Sequence, residues 1–199
     1  MLHPNRELRG PCRHDGSMRT TGSREVYANA WMTVREDELQ RSDGSRGIYG
    51  VVDKPDYALV IPLEGDQLCL VEQYRYPLGL RRWEFPQGTA PDRVDSEPDE
   101  LAARELREET GLRARSLTRL GVLDVAPGLS SQRGRAFLAT GLVAGEHERE
   151  LEEQDMRAEW FPRAAFERMV AAGEITDAQS LAAYALFQLH ERGVTGARD

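Results

Sequence analysis

Apolar positions recur from Val26 to Val34, and the stretch, with Tyr27 and Trp31 in it, reads as a strand. Asp43-Gly44 signals a turn, and Gly47 to Val52 reads as the returning strand of an antiparallel ribbon. Two stronger strands follow, Tyr57–Leu63 and Gln67–Tyr74, joined by Glu64-Gly65-Asp66. Trp83–Pro86 is a short strand end that runs into Gln87-Gly88, and residues 89–97 are polar loop. The next segment switches to helical spacing. Ser96 or Glu97 can cap it, Pro98 suits its first turn, Asp99 and Glu100 favour its positive end, and Gly111 suits the position past its end. Further strands are expected near 116–124, 134–140 and 156–161, then helices near 162–173 and 177–191. The last helix carries Leu181, Tyr184, Leu186, Phe187 and Leu189 for packing on a sheet. Strands interleaved with helices predict a layered α/β domain.

Composition narrows the function. The chain has 199 residues, which fits one domain or one domain with an appended segment, and a formal net charge of −8. An acidic balance argues against a nucleic-acid polymer or an anionic membrane as partner. Residues 1–22 lack an apolar pattern and are expected to be a disordered tail, with Met18 a possible alternative start. Residues 193–199 are expected to be a C-terminal tail. No apolar run is long enough for a membrane span and no secretory signal is visible, so a cytoplasmic location is expected. Cys12 and Cys69 are too far apart for a disulfide framework, and His3, His14, His147 and His190 show no zinc-binding spacing. No P-loop, dinucleotide fingerprint or nucleophile elbow is present.

The chemistry concentrates on the helix after the loop. Glu105, Glu108 and Glu109 are three and four residues apart and share a face, where like charges cost about 0.2–0.5 kcal/mol per pair. Arg104 and Arg107 are interleaved and offset part of this. Two readings stand: a solvated charged face, or a binding site for a hard divalent cation, which takes carboxylates, water and substrate phosphate as ligands. Such a cation would reverse the local charge and admit a small anionic substrate.

Residues 104–112, Arg-Glu-Leu-Arg-Glu-Glu-Thr-Gly-Leu, match every specified position of REUXEEXGU, the second half of the Nudix box GX5EX7REUXEEXGU (U aliphatic). Gly88 resembles its leading glycine, although it lies 16 residues before Arg104 where the pattern has 14. The first glutamate of the box would fall at Ser96, flanked by Asp95 and Glu97. The resemblance implies a Nudix fold, an α/β/α sandwich with a mixed sheet over residues 54–192. It also implies Mg²⁺ or Mn²⁺ held by Glu105, Glu108, Glu109 and the backbone carbonyl at Gln87 or Gly88. Arg104 would orient the glutamates. The implied reaction is hydrolysis of a nucleoside diphosphate linked to another group.

Outside the box the chain resembles the ADP-ribose pyrophosphatase branch over roughly residues 23–190. Glu72-Gln73-Tyr74-Arg75, Trp83-Glu84-Phe85-Pro86 and the loop Ala126–Gln132 carry the likeness. Gln87 stands where that branch has alanine, so that Pro-Gln-Gly also resembles dinucleoside-polyphosphate and RNA-pyrophosphohydrolase branches. Gln132 stands where glutamate is usual. The branch implies substrate contacts at Arg75, Glu84, Trp31 and Gln132, with Arg75 on the diphosphate. A water-activating base is implied at Glu152 or Glu153, in the acidic run that ends at Asp155. It also implies a homodimer, with the 23–53 ribbon as the dimerising element. Other sugar nucleotides and dinucleoside polyphosphates are the alternative substrates. A nucleotide-binding module without hydrolysis is the alternative of another class.

Overall fold

The computed structural model describes residues 18–90, 97–146 and 155–194. It opens with a three-stranded antiparallel sheet of β1 (Met18–Ala28), β2 (Thr33–Arg41) and β3 (Arg46–Asp53). This corrects two expectations. Residues 18–22, assigned above to the tail, are strand, because they pair with β2 between Glu38 and Arg41. The single strand expected over 26–34 is instead broken by a turn. The Asn29 side chain makes it, its Oδ1 accepting from the backbone N–H groups of Trp31 (2.9 Å) and Met32 (2.8 Å). The Asp43-Gly44 turn is where it was expected, with Gly44 at φ 82°.

The main sheet is mixed and forks. β4 (Tyr57–Glu64) and β5 (Gln67–Arg75) form a hairpin that pairs only at its closed end, Leu63 with Leu68 and Glu64 with Gln67. Beyond that point the strands part. β5 pairs with β6 (Leu80–Glu84) and with β10 (Arg157–Pro162), both antiparallel. β4 pairs antiparallel with the three-residue β7 (Gln87–Thr89) and parallel with β9 (Arg133–Ala144), which in turn pairs antiparallel with β8 (Leu112–Asp124).

β4 is buried on both faces, as a parallel-paired central strand must be. Its alternate residues therefore serve two cores. Ala58 and Val60 meet Leu101, Ala102 and Leu106 of α1 (Pro98–Thr110). Tyr57, Leu59 and Ile61 face Phe166 of α2 (Arg163–Ala171) and Tyr184 and Phe187 of α3 (Ala178–Glu191). Phe85 joins the second core, its ring 5.3 Å from that of Phe166. Helix, sheet and helix form an α/β/α sandwich. Gly111 ends α1 in the left-handed region (φ 72°), its N–H donating to the Arg107 carbonyl at 2.9 Å. Cys69 is buried on β5, and burial pushes its thiol up to about 12. Among the described residues no helix is long and apolar enough to cross a membrane.

Candidate active site

The two arms of the fork diverge because each finds a partner of its own. Pro86, between β6 and β7, crosses from one arm to the other, and its carbonyl accepts from the Val60 N–H at 2.9 Å. The following turn lies against α1. The Gln87 N–H donates to Glu109 Oε2 at 3.1 Å. A Cβ on Gly88 would stand 2.2 Å from Glu105 Oε2, so only glycine lets strand and helix come this close.

That contact rules against the solvated-face reading for two of the three glutamates. Glu105 is 5 % exposed and Glu109 1 % exposed, in the same buried stripe as Leu101, Ala102 and Leu106. They do not belong to a solvated face. Arg104 reaches the Thr89 carbonyl (3.4 Å), Glu105 Oε1 (3.5 Å) and Glu108 Oε2 (3.6 Å), and Arg107 is 3.8 Å from Glu108. Among the described residues no group of three or more carboxylate, histidine or cysteine side chains is arranged to hold a metal ion. The oxygens of the three glutamates are of the hard type that small divalent cations take.

All three glutamates open onto a cavity of about 610 Å³, within the range of small-molecule sites. Trp31, Arg75, Glu84, Gln87, Gly88 and Gln132 line it too, so the structure brings together the described residues named from the sequence as metal or substrate contacts, while Arg104 stands behind the glutamates and Glu97 does not line the cavity. Glu152 and Glu153 lie outside the described residues, as do Asp95 and Ser96. Asp155 is held by Arg81, whose Nη1 donates to its Oδ2 at 2.6 Å. Gln132 is tied back into the chain, its Nε2 donating to the Pro55 carbonyl at 2.7 Å. Trp31 is 66 % exposed at the cavity's edge.

The facing wall comes from β5 and β6. Gln73, Arg75, Arg82 and Glu84 share one face of this pair. Glu84 is 1 % exposed and accepts from Gln73 Nε2 (2.6 Å), from Arg75 Nε (3.1 Å) and from Arg75 Nη2. Burial pushes its carboxyl up to about 7, against the pull of Arg75. On the opposite face Glu72 is desolvated as well, but hydrogen bonds from Arg81 and Arg157 outweigh this and hold its carboxyl below the usual range.

Sequence reasoning missed Lys54, Tyr57, Arg82, Thr176 and Asp177 on the cavity wall. Asp177 is the instructive one. Its Oδ2 caps α3 by accepting from the Ser180 N–H (2.8 Å) and also accepts from Gln87 Nε2 (3.1 Å). The capping signal is local and could have marked it. The second bond spans 90 positions and leaves no local trace.

A cavity lined by the α1 glutamates and by Arg75 and Arg82, set in a forked sheet between helices, suits an α/β enzyme acting on a phosphorylated small molecule. The chain belongs to the Nudix hydrolase family: residues 53–184 match the NUDIX domain model. Residues 18–52 match the nucleoside diphosphate sugar hydrolase N-terminal domain model. The chain is 37 % identical to an ADP-ribose pyrophosphatase of Mycobacterium tuberculosis, over 82 % of this chain and 79 % of that one. It is 26 % identical to an ADP-ribose pyrophosphatase of Bacillus subtilis, over 87 % and 94 % of the two chains. A crystal structure of an ADP compounds hydrolase superposes with a TM-score of 0.78 at 23 % identity, covering 90 % of this chain and 97 % of the other. That likeness supports the Nudix fold.

Proposed function

We propose that the protein hydrolyses the diphosphate of ADP-ribose to AMP and ribose 5-phosphate. The observation that carries this reading is the α1 stripe: Glu105 and Glu109, both buried, and Glu108, half-buried, open together onto a cavity whose far wall carries arginines. The names of the two pyrophosphatase relatives support ADP-ribose as the substrate. Glu105, Glu108 and Glu109, with the carbonyl of Gln87 or Gly88, would hold a divalent cation, Mg²⁺ or Mn²⁺. Bound there, it supplies charge neutralisation at the phosphate oxygens and a more acidic water. Arg104 fixes the glutamate rotamers. In the reaction the water oxygen bonds to one phosphorus, the bridging P–O bond breaks, and the water gives its proton to a carboxylate, assigned to Glu152 or Glu153. Trp31 stacks on the base, while Arg75, Glu84 and Gln132 shape the polar floor.

The active form in this reading is a homodimer built through the first sheet, whose Val26, Tyr27, Ile48 and Tyr49 are exposed. A cytoplasmic location goes with it, because nucleoside diphosphate derivatives are made and used inside the cell. The test is incubation of purified protein with Mg²⁺ and, separately, ADP-ribose, other sugar nucleotides and dinucleoside polyphosphates, with products identified by chromatography. AMP and ribose 5-phosphate, formed fastest from ADP-ribose and abolished by chelation, are expected. Cleavage of another member in preference to ADP-ribose would reject the substrate assignment.

A further inference from the structure

The first sheet and the catalytic domain meet along a seam of hydrogen bonds, and the seam runs through a loop that borders the cavity. The two family models abut there, one ending at residue 52 and the other starting at residue 53. At this junction β3 lies beside the loop 126–132. The Val52 N–H donates to the Leu129 carbonyl at 2.9 Å, and the Tyr49 hydroxyl donates to the Gly128 carbonyl at 2.7 Å. Asp53 joins the two parts with its side chain. Its Oδ2 accepts from Arg35 Nη1 on β2, and its Oδ1 accepts from the Ser131 hydroxyl at 3.0 Å. Arg35 is held in turn by Asp37, its Nε 3.1 Å from each carboxylate oxygen. The side chains of Arg35, Asp37 and Asp53 are only 15 %, 12 % and 21 % exposed. A charged network largely out of water, with its members paired, is rigid. The residue after Ser131 is Gln132, buried on the cavity wall.

We propose that Asp53 is a positioning residue for the substrate cavity: through Ser131 it holds the 126–132 loop, and Gln132 with it, against the first sheet. The sheet thereby takes part in substrate binding by its own chain. This inference rests on the reading of the cavity as an ADP-ribose site. The test uses the full chain. Ser131 is exposed, so Ser131→Ala removes the hydroxyl with little burden on folding. Affinity for ADP-ribose, titrated calorimetrically in EDTA so that no turnover occurs, is expected to fall about 2- to 10-fold, the range of one hydrogen bond. With Mg²⁺ present, KM should rise in the same proportion while kcat stays near the parent value. Ser131→Thr keeps the hydroxyl and should retain parental affinity. Asp53→Ala should weaken binding at least as much as Ser131→Ala, and combining the two should cost nothing further, because both remove one contact. Parental affinity in Ser131→Ala, an equal loss in Ser131→Thr, or losses that multiply in the double variant would overturn the assignment. If Asp53→Ala does not fold, the two Ser131 variants decide alone.

A second measurement is independent of the substrate. Amide hydrogen exchange, read by mass spectrometry, should quicken over residues 126–132 in Ser131→Ala and stay unchanged over β4. Unchanged exchange in the loop rejects the coupling. If the parent neither binds nor cleaves ADP-ribose while loop exchange still responds, the substrate reading falls and the hold of Asp53 on the loop stands. If ADP-ribose is cleaved and Ser131→Ala changes neither affinity nor exchange, the reverse holds.

Discussion

Gln87 Nε2 donates to Asp177 Oδ2 at 3.1 Å, and through this bond the turn that faces the α1 glutamates is tied to the start of α3. The same Gln87 gives its backbone N–H to Glu109 on the other side. One residue thus links both helical layers across the forked sheet. Gln87→Ala should lower the melting temperature by about 2–4 °C, the effect of losing roughly 1 kcal/mol in a chain of this size. Asp177→Ala should cost more, because it removes the α3 cap as well. Thermal denaturation of the two variants checks both the sign and the order.

Glu109→Gln keeps the size and an accepting oxygen for the Gln87 N–H while removing a charge from the cavity. Turnover should fall about 100-fold or more, the scale of losing one key electrostatic partner in a hydrolase site. Its melting temperature should stay within a few degrees of the parent. Unchanged turnover at saturating Mg²⁺ would take the glutamate out of the site.

Gly88→Ala places a methyl group where Glu105 Oε2 already sits, at 2.2 Å. Either Glu105 or the 86–88 turn must move. A stability loss of about 1–3 kcal/mol together with reduced activity is expected. Gly128→Ala is the control, because nothing lies within 4 Å of the added carbon. Equal behaviour of the two variants would show that the close approach does not matter.

Glu84 makes stability depend on pH. Burial raises its carboxyl from an ordinary 4.5 to about 7. Between those values the unfolded chain gives up the proton that the folded chain keeps, so stability falls as pH rises through this window and levels off above it. The full effect is on the order of 3 kcal/mol. Glu84→Gln removes this contribution. The difference in melting temperature between parent and variant should therefore drift against the parent from pH 4.5 to 7 and be flat beyond it. A constant difference across that range would reject the raised value.

Trp31 stands 66 % exposed at the edge of the cavity. Loss of a stacked base costs about 1–3 kcal/mol in other aromatic–base contacts, so Trp31→Ala should raise KM about tenfold with kcat little changed. Light scattering should show a dimer for both proteins. A monomeric parent would remove the first sheet from its proposed role.

The sequence carried the helical spacing of Glu105, Glu108 and Glu109 and the stop at Gly111, because both are local signals. It carried the long strands of the sandwich for the same reason. What it could not carry was burial: the spacing that puts two glutamates in the stripe of Leu101, Ala102 and Leu106 also suits an exposed face, and only the approach of Gly88 decides. β7 escaped notice because Gln87-Gly88-Thr89 has little strand preference of its own; the edge of β4 makes it a strand. Arg82 reads locally as one charge among several, and its place on the cavity wall is set by the pairing of β5 with β6.

The fork has its vertex at Glu64-Gly65-Asp66, pinned where the Arg163 N–H donates to the Asp66 carbonyl at 2.9 Å. The glutamates ride with one arm and the arginines with the other. The gap between the two walls is therefore fixed at both ends, by this turn and by the Pro86 crossing beside the cavity, and a substitution at either end reaches the site through the arms.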